Sequence, residues 1–501
     1  MKRRASTEPF GPNEFWWVIA FCLLAAARVF SFSAAFPFFN NVDERRHLDV
    51  VIKYAEGQVP RGVELISPAT LPYLSHYASP EFLSRPEEFE DSDFGPMWKY
   101  PVEEVAPTIA KIEEIWGRTP NQQCSQPPLY YLGAAAWFHI GEWLGIKGAG
   151  ALYWIRFLNI LFITALVWLA YVAARMIFPG QIGLRLGIPL LTAAVPQDAF
   201  YGINNDVLSP VCFGLVFVCL IKWFSQKRVS IALGIATGLS IAAAYLTKLS
   251  NLPVIVVALA AILWWCIAEA RVGKFRAAIP PLCGLVFCAA VPIVAWLVWM
   301  KVHFGDFTGA ASKAQLLGWT PKRFVDWWSH PIFTVPGMWT FLAELIASFW
   351  RGEFMWHARI IGFKGLELFY VLSSLGLILV AVVALIRGRD KQANETQWRV
   401  LWIAVACVLV PIVFLASLSV QFDFGACLNP SRERPYFFQG RLMLGALIPF
   451  AMLYVYGLSR LLRNDANLLL GIVGAIAVTI TVSDALANSV AFTSAYNWFH
   501  M

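Results

Sequence analysis

The sequence predicts an all-α polytopic membrane protein, a bundle of about eleven transmembrane helices in one integral membrane domain over 1–501. Three observations predict it. Of 501 residues, 58% are hydrophobic and only 14% charged, too little charge to clothe a soluble protein of this size. Apolar runs long enough to span a bilayer recur along the whole chain. Lysine and arginine collect in the short loops between those runs, the pattern that orients membrane proteins. That distribution also disposes of nucleic acid as the partner of the +7 net charge.

The first run, about 15–39, follows Lys2, Arg3 and Arg4, is too long for a signal-peptide core and has no small-residue cleavage site after it. It reads as an uncleaved first span. Further spans are expected at 151–177, 182–200, 207–224, 230–247, 252–269, 278–300, 366–386, 400–419, 442–459 and 465–487. One set of short loops then carries Arg175 and Arg185, Lys222 to Arg228, Arg271 to Arg276, Arg387 to Arg399, and Arg460 with Arg463. With the basic N-terminus, this set is expected on the cytoplasmic side.

The segment 127–145 is apolar enough to cross, yet a crossing would put five basic loops on the wrong side. It opens on Pro127-Pro128 and holds His139 and Glu142, so an interfacial helix on the outer leaflet is expected, as for 339–350. Two long extracytoplasmic loops result, 40–149 and 301–364, a length usually tied to function. The acidic stretch Glu87–Glu114 reads as the solvated face of a small lobe.

Seven of the nine cysteines fall in apolar runs, where a thiol serves as a small apolar side chain. Cys124 and Cys427 lie in loops, where a disulfide is chemically allowed. No CxxC pair or zinc spacing occurs.

Laid on this topology, the unusual polar residues share the extracytoplasmic side: Asp43-Glu44, Gln126, Asn204-Asn205-Asp206, Lys248, His303, Asp306, Glu353, His357, Arg432-Glu433-Arg434 and Arg441. Ionisable groups at membrane depth are costly, which makes them functional candidates. Each alone is also consistent with snorkelling at the interface.

Asp43 and Glu44 stand where a lipid head group would lie, and partial burial would lift Asp43 toward the range of a general base. His47, four residues on, shares a helix face with Asp43. The two could hold a divalent metal, although two ligands are too few to name one. The structural alternative is Asp43 as a helix N-cap. Lys248 and Arg441 suit a phosphate, with Gly440 letting the backbone come close. Asn204 to Asp206 either bond sugar hydroxyls or cap a span. Most of the 22 tryptophans read as interface anchors, with Trp350 and Trp356 open to sugar stacking.

Several short motifs occur in order. These are Asp43-Glu44-Arg45-Arg46-His47, Gln126-Pro127-Pro128-Leu129-Tyr130-Tyr131, Asn204-Asn205-Asp206, Thr247-Lys248-Leu249, Ser348-Phe349-Trp350 with Phe354 and Trp356, and Gln439-Gly440-Arg441-Leu442. Together they resemble the GT-C superfamily of membrane glycosyltransferases, most nearly the bacterial relatives of protein O-mannosyltransferases and aminoarabinose transferases. Leu442 stands where tyrosine is usual, and Arg45 where proline is frequent.

The resemblance implies a GT-C-like bundle in a bacterial inner membrane with an extracytoplasmic active site. It implies an inverting transfer from a polyprenyl-phosphate sugar to a glycan, lipid or protein hydroxyl. Asp43 would then be the base with Glu44 beside it. Lys248 and Arg441 would hold the carrier phosphate, and His47, Gln126, Asn205, Asp206, Glu353, His357, Arg432 and Arg434 would line the substrates. A glycolipid flippase and a non-catalytic envelope-glycan assembly protein are the competing readings. Spans that are apolar through their middles speak against a midplane transport site.

Overall fold

A computed structural model describes residues 12–41, 43–82, 84–85, 87, 95–195, 198–387, 395–427 and 429–497. The protein is all-α and polytopic, 75% helical, with only two-residue strands among the described residues. Nine described helices are long and apolar enough to cross a membrane. They contain α1 (Pro12–Ala35), α5 (Ala149–Ile177), α7 (Ser209–Ser225, a span Asn205–Ser225 with the 3-10 turn before it), α9 (Leu252–Arg271), α10 (Phe275–Phe304), α13 (Lys364–Ile386), α14 (Glu395–Gln421), α15 (Leu447–Leu461, a span Gly440–Leu461 with the 3-10 segment before it) and α16 (Ala466–Ala487). Two shorter apolar helices, α6 (Ile182–Ala194) and α8 (Ile231–Thr247), stand where the other two spans were expected.

The difference at α6 has a local cause. At 13 residues, about 20 Å, it falls short of the hydrocarbon thickness. Pro196 biases the preceding residue out of the helical region, and Val195 is extended at φ −124°. The chain then makes a short 3-10 turn, Asp198–Tyr201, in place of further α-helical turns.

Between the spans lie α2 (Glu44–Ala55), α3 (Val102–Gly117), α4 (Leu129–Trp143), α11 (Ala310–Leu316) and α12 (Val335–Arg351). At 15 residues α4 is short of a span. It packs on α2 and α5 while Leu132, Ile140 and Trp143 stay exposed. Helix α12 buries Phe341, Leu345, Phe349 and Trp350 and leaves Val335, Met338 and Trp339 exposed. The centre of the bundle is α15, buried along nearly its whole length against α13, α14 and α6. Helix α5 packs on α1, α6 and α7.

One buried ion pair ties the end of the bundle opposite the basic loops. Both the Arg156 and Glu44 side chains are 1% exposed, and they meet at 2.8 Å through Nε and Oε1 and again through Nη2 and Oε2. Arg156 also donates to the Ser33, Phe36 and Pro37 carbonyls that α1 leaves unpaired at its end. Glu44 accepts in addition from the Phe39 and Ile203 N–H groups at 2.9 Å. Helices α1, α2 and α5 and the chain before α7 are thereby locked together. A second network, Arg28 with Asp484 at 2.9 Å and Tyr201 on the same carboxylate at 2.9 Å, ties α1 to α16. Cys124 and Cys427 are both free thiols.

Candidate functional site

The site is assembled from loop ends at one end of the bundle. Asp43 opens α2 at φ 61°, a left-handed conformation that costs a non-glycine residue about 1–2 kcal/mol. It stands at the N-cap position, but its side chain makes no capping hydrogen bond. Its carboxylate faces Arg441 at 3.5 Å and Arg46 at 3.5 Å instead.

Arg441 is the hub. Besides Asp43 it reaches Asp206 at 3.6 Å and Glu353 at 3.2 Å. Lys248, the C-cap of α8, closes on the other oxygen of Asp206, which is 1% exposed. Asn204 caps the 3-10 turn before α7 by accepting from the Asp206 N–H at 3.0 Å. Asn205 donates to Gln126 at 3.2 Å and to the Thr247 carbonyl at 3.1 Å, joining three motifs beside the charged cluster.

Arg441 is held by a close approach of two further motifs. A Cβ added at Gly440 would sit 2.1 Å from the Phe349 nitrogen, so only glycine fits. Ser348 clasps the contact, accepting from the Gly440 N–H at 2.9 Å and donating to the Phe438 carbonyl at 2.6 Å. Trp350, 0% exposed, stacks on Tyr370 at 4.9 Å and donates to Ser374, a packing role with no face open to a sugar.

Electrostatics set the protonation states. Burial works to raise the Asp43 carboxyl, but the charges of Arg441, Arg46 and Lys313 outweigh it and hold it at about 2. The rise expected from burial alone is therefore corrected: cations, not desolvation, decide this group. Burial brings His47 down to about 3, leaving a neutral ring with Nδ1 2.7 Å from the Tyr131 hydroxyl. Burial lowers Lys248 and raises Glu353. Among the described residues no group of three or more His, Cys, Asp or Glu is arranged to hold a metal ion, so Asp43 and His47 gain no further ligand.

Of the sequence candidates, Asp43, Asp206, Lys248, Glu353 and Arg441 converge, with His47, Gln126 and Asn205 packed behind them. Glu44, expected to face the chemistry beside Asp43, has both oxygens engaged by Arg156 and two backbone N–H groups.

Three candidates lie elsewhere. His357 bonds the Ser84 carbonyl at 2.9 Å at the tip of a hairpin, while Arg432 pairs with Asp423 at 2.8 Å and Arg434 with Glu344 at 3.6 Å, both largely exposed. Arg432→Ala and Arg434→Ala should each leave any activity within about twofold of wild type, since exposed pairs contribute little. A tenfold loss in an initial-rate assay would bring either residue back into the site.

Two residues went unflagged by sequence. Lys313, on α11, interacts with Asp43, Lys248, Arg441 and Asp206, and burial lowers its ammonium. Asp198 accepts the Glu353 N–H at 2.6 Å.

No curated protein matches the chain. Among solved structures, the crystal structure of an Archaeoglobus fulgidus oligosaccharyltransferase complex with Zn and sulfate is similar at TM-score 0.41 and 11% identity. The match covers 74% of this chain and 45% of that one, so the chain spans under half the length of that protein. The family described as "Predicted membrane protein (DUF2142)" matches residues 16–425. That is most of the chain, and the protein belongs to this DUF2142 family of membrane proteins.

Proposed function

We propose that the protein is a GT-C-type glycosyltransferase that moves a sugar from a polyprenyl-phosphate carrier to an acceptor hydroxyl, with inversion. The observation that carries this reading is the gathering at one end of the bundle of a partly exposed carboxylate, Asp43, with the cations Arg441 and Lys248, within reach of the Lys313 charge. The order of motifs that resembles this superfamily supports it. The charged cluster lies at the end opposite the basic loops, which supports an extracytoplasmic site in a bacterial plasma membrane with the N-terminus inside.

In this mechanism Arg441, Lys248 and Lys313 take the phosphate oxygens. The acceptor hydroxyl bonds Asp43 and attacks the anomeric carbon. As the new C–O bond forms, the bond to the phosphate oxygen breaks and its electron pair stays on the carrier phosphate. The proton goes to Asp43. The bound phosphate also activates the base: its negative charge offsets the cations that hold Asp43 low, so the carboxylate becomes more basic when the donor is in place.

Arg441→Gln should raise the donor KM roughly 100-fold, the weight of a lost charge-assisted contact plus three carboxylates left without their shared cation. Transfer kinetics with a polyprenyl-phosphate sugar measure this. A wild-type KM in the variant would take Arg441 out of the donor site.

A further inference from the structure

Asp198 is buried, on the 3-10 turn that follows α6. Through side chain and backbone it fastens two separate segments of chain. Oδ2 accepts the Glu353 N–H at 2.6 Å, and the backbone carbonyl accepts from the Asn41 side chain at 2.6 Å, two residues ahead of Asp43. The carboxyl lies directly over Gly352, where an added Cβ would be 2.1 Å from Oδ1. Gly352 has φ +84°, so the chain passes there only as glycine.

Glu353, aimed by that contact, stands 3.2 Å from Arg441, which stands 3.5 Å from Asp43. Contacts thus connect four ionisable residues in sequence: Asp198 through the Glu353 N–H, then Glu353, Arg441 and Asp43. The groups facing Asp198 are Glu353 from the chain after α12, Asp484 from α16, and Arg441 ahead of α15, with Arg156 and Tyr201 lining the same small space beside Phe36 and Phe354. Burial first, then the neighbouring Glu353 charge, pushes the Asp198 carboxyl up to about 7. Burial raises the neighbouring Glu353 carboxyl as well, so the two acids beside one cation favour holding a proton between them.

We propose that Asp198 is a positioning residue for the donor site: it holds Glu353 against Arg441 and so sets how far that guanidinium is committed to protein carboxylates or free to take the carrier phosphate. The inference rests on the carrier-lipid reading above. Ionised, Asp198 adds a negative charge behind Arg441 and opposes a phosphate. Protonated, it keeps the hydrogen bond to Glu353 and removes that charge. Donor affinity therefore strengthens as pH falls through about 7.

The test uses the purified full chain as wild type, Asp198→Asn and Asp198→Ala, with two readouts across pH 4 to 9. The first is thermal stability without ligand. The folded carboxyl binds its proton up to about 7, whereas the unfolded one releases it near 3.8, so wild-type stability falls across that window and levels off above it. Asparagine can accept the same N–H and does not titrate, so its melting temperature should gain on wild type progressively between those pH values.

The second readout is binding of a farnesyl phosphodiester of mannose, a probe whose single charge does not titrate. Wild-type affinity should rise on the order of tenfold from pH 8.5 to 5.5. Asp198→Asn should bind tightly and without pH dependence, and Asp198→Ala weakly at every pH because Glu353 is no longer aimed. A melting difference independent of pH overturns the proton on Asp198 while leaving the carrier-lipid reading intact. So does a pH dependence of binding that persists in the asparagine variant. Failure of all three proteins to bind the probe overturns the carrier-lipid reading and with it the phosphate half of the proposal, whatever the melting curves show.

Discussion

Asp43→Asn should lower kcat by roughly 100- to 10,000-fold, the range a positioned general base contributes, with donor affinity kept within a few fold. The reason lies in how the carboxylate is held. It makes no capping hydrogen bond, so α2 does not depend on it. Its contacts to Arg441 and Arg46 are long at 3.5 Å, leaving oxygen lone pairs for an acceptor hydroxyl. Asparagine preserves size and polarity but cannot take a proton. Because one negative charge near Arg441 disappears, phosphate binding should hold or strengthen slightly. Single-turnover transfer rates with separately measured donor binding read the two effects apart. A variant with wild-type kcat would move the base elsewhere, and parallel losses in kcat and binding would make Asp43 a structural residue.

Glu44→Gln should damage the protein in a different way. The Glu44–Arg156 pair is buried on both sides, and breaking such a pair by removing one partner costs roughly 3–5 kcal/mol because the other charge is left uncompensated. The same change weakens two backbone hydrogen bonds, from Phe39 and Ile203. A clear fall in melting temperature and in yield of folded protein is expected, before any assay of activity. Removing both charges, in Glu44→Gln with Arg156→Met, should recover part of the loss. An unshifted melting temperature in Glu44→Gln would contradict the role given to the pair. Adjacent residues with one effect on chemistry and the other on folding would separate the two halves of the Asp43-Glu44 motif.

That division was beyond reach of the sequence. Consecutive residues at the start of a helix point about 100° apart, and only the position of Arg156, 112 residues downstream of Glu44, tells which carboxylate turns inward. The spans were legible because a bilayer imposes a length and composition that survive without knowledge of packing. The one that came out short, α6, is instructive. Its apolar run was counted through residue 200, and that count swallowed Asp198. An acid inside an apolar run, directly after Pro196-Gln197, was the signal available.

Lys313 offered no such signal, since a lysine in a long loop looks like any solvated lysine. Asp206, Lys248, Glu353 and Arg441 were recognisable because a shared side of the membrane is a strong spatial constraint on residues far apart in sequence. Arg432, Arg434 and His357 satisfied the same constraint and lie elsewhere. Side alone narrows a site to one end of the bundle, and the close approach of Gly440 to Phe349 is what selects Arg441 from its neighbours.

The most direct test of the account is donor cleavage by purified wild-type protein in liposomes, with a panel of polyprenyl-phosphate sugars and a mixture of hydroxyl-bearing acceptors. Free polyprenyl phosphate should be released with at least one donor, the product should have inverted anomeric configuration, and both should be lost in Asp43→Asn. Intact carrier lipid crossing the bilayer with no cleavage of any donor would contradict the account and make the protein a carrier of glycolipids.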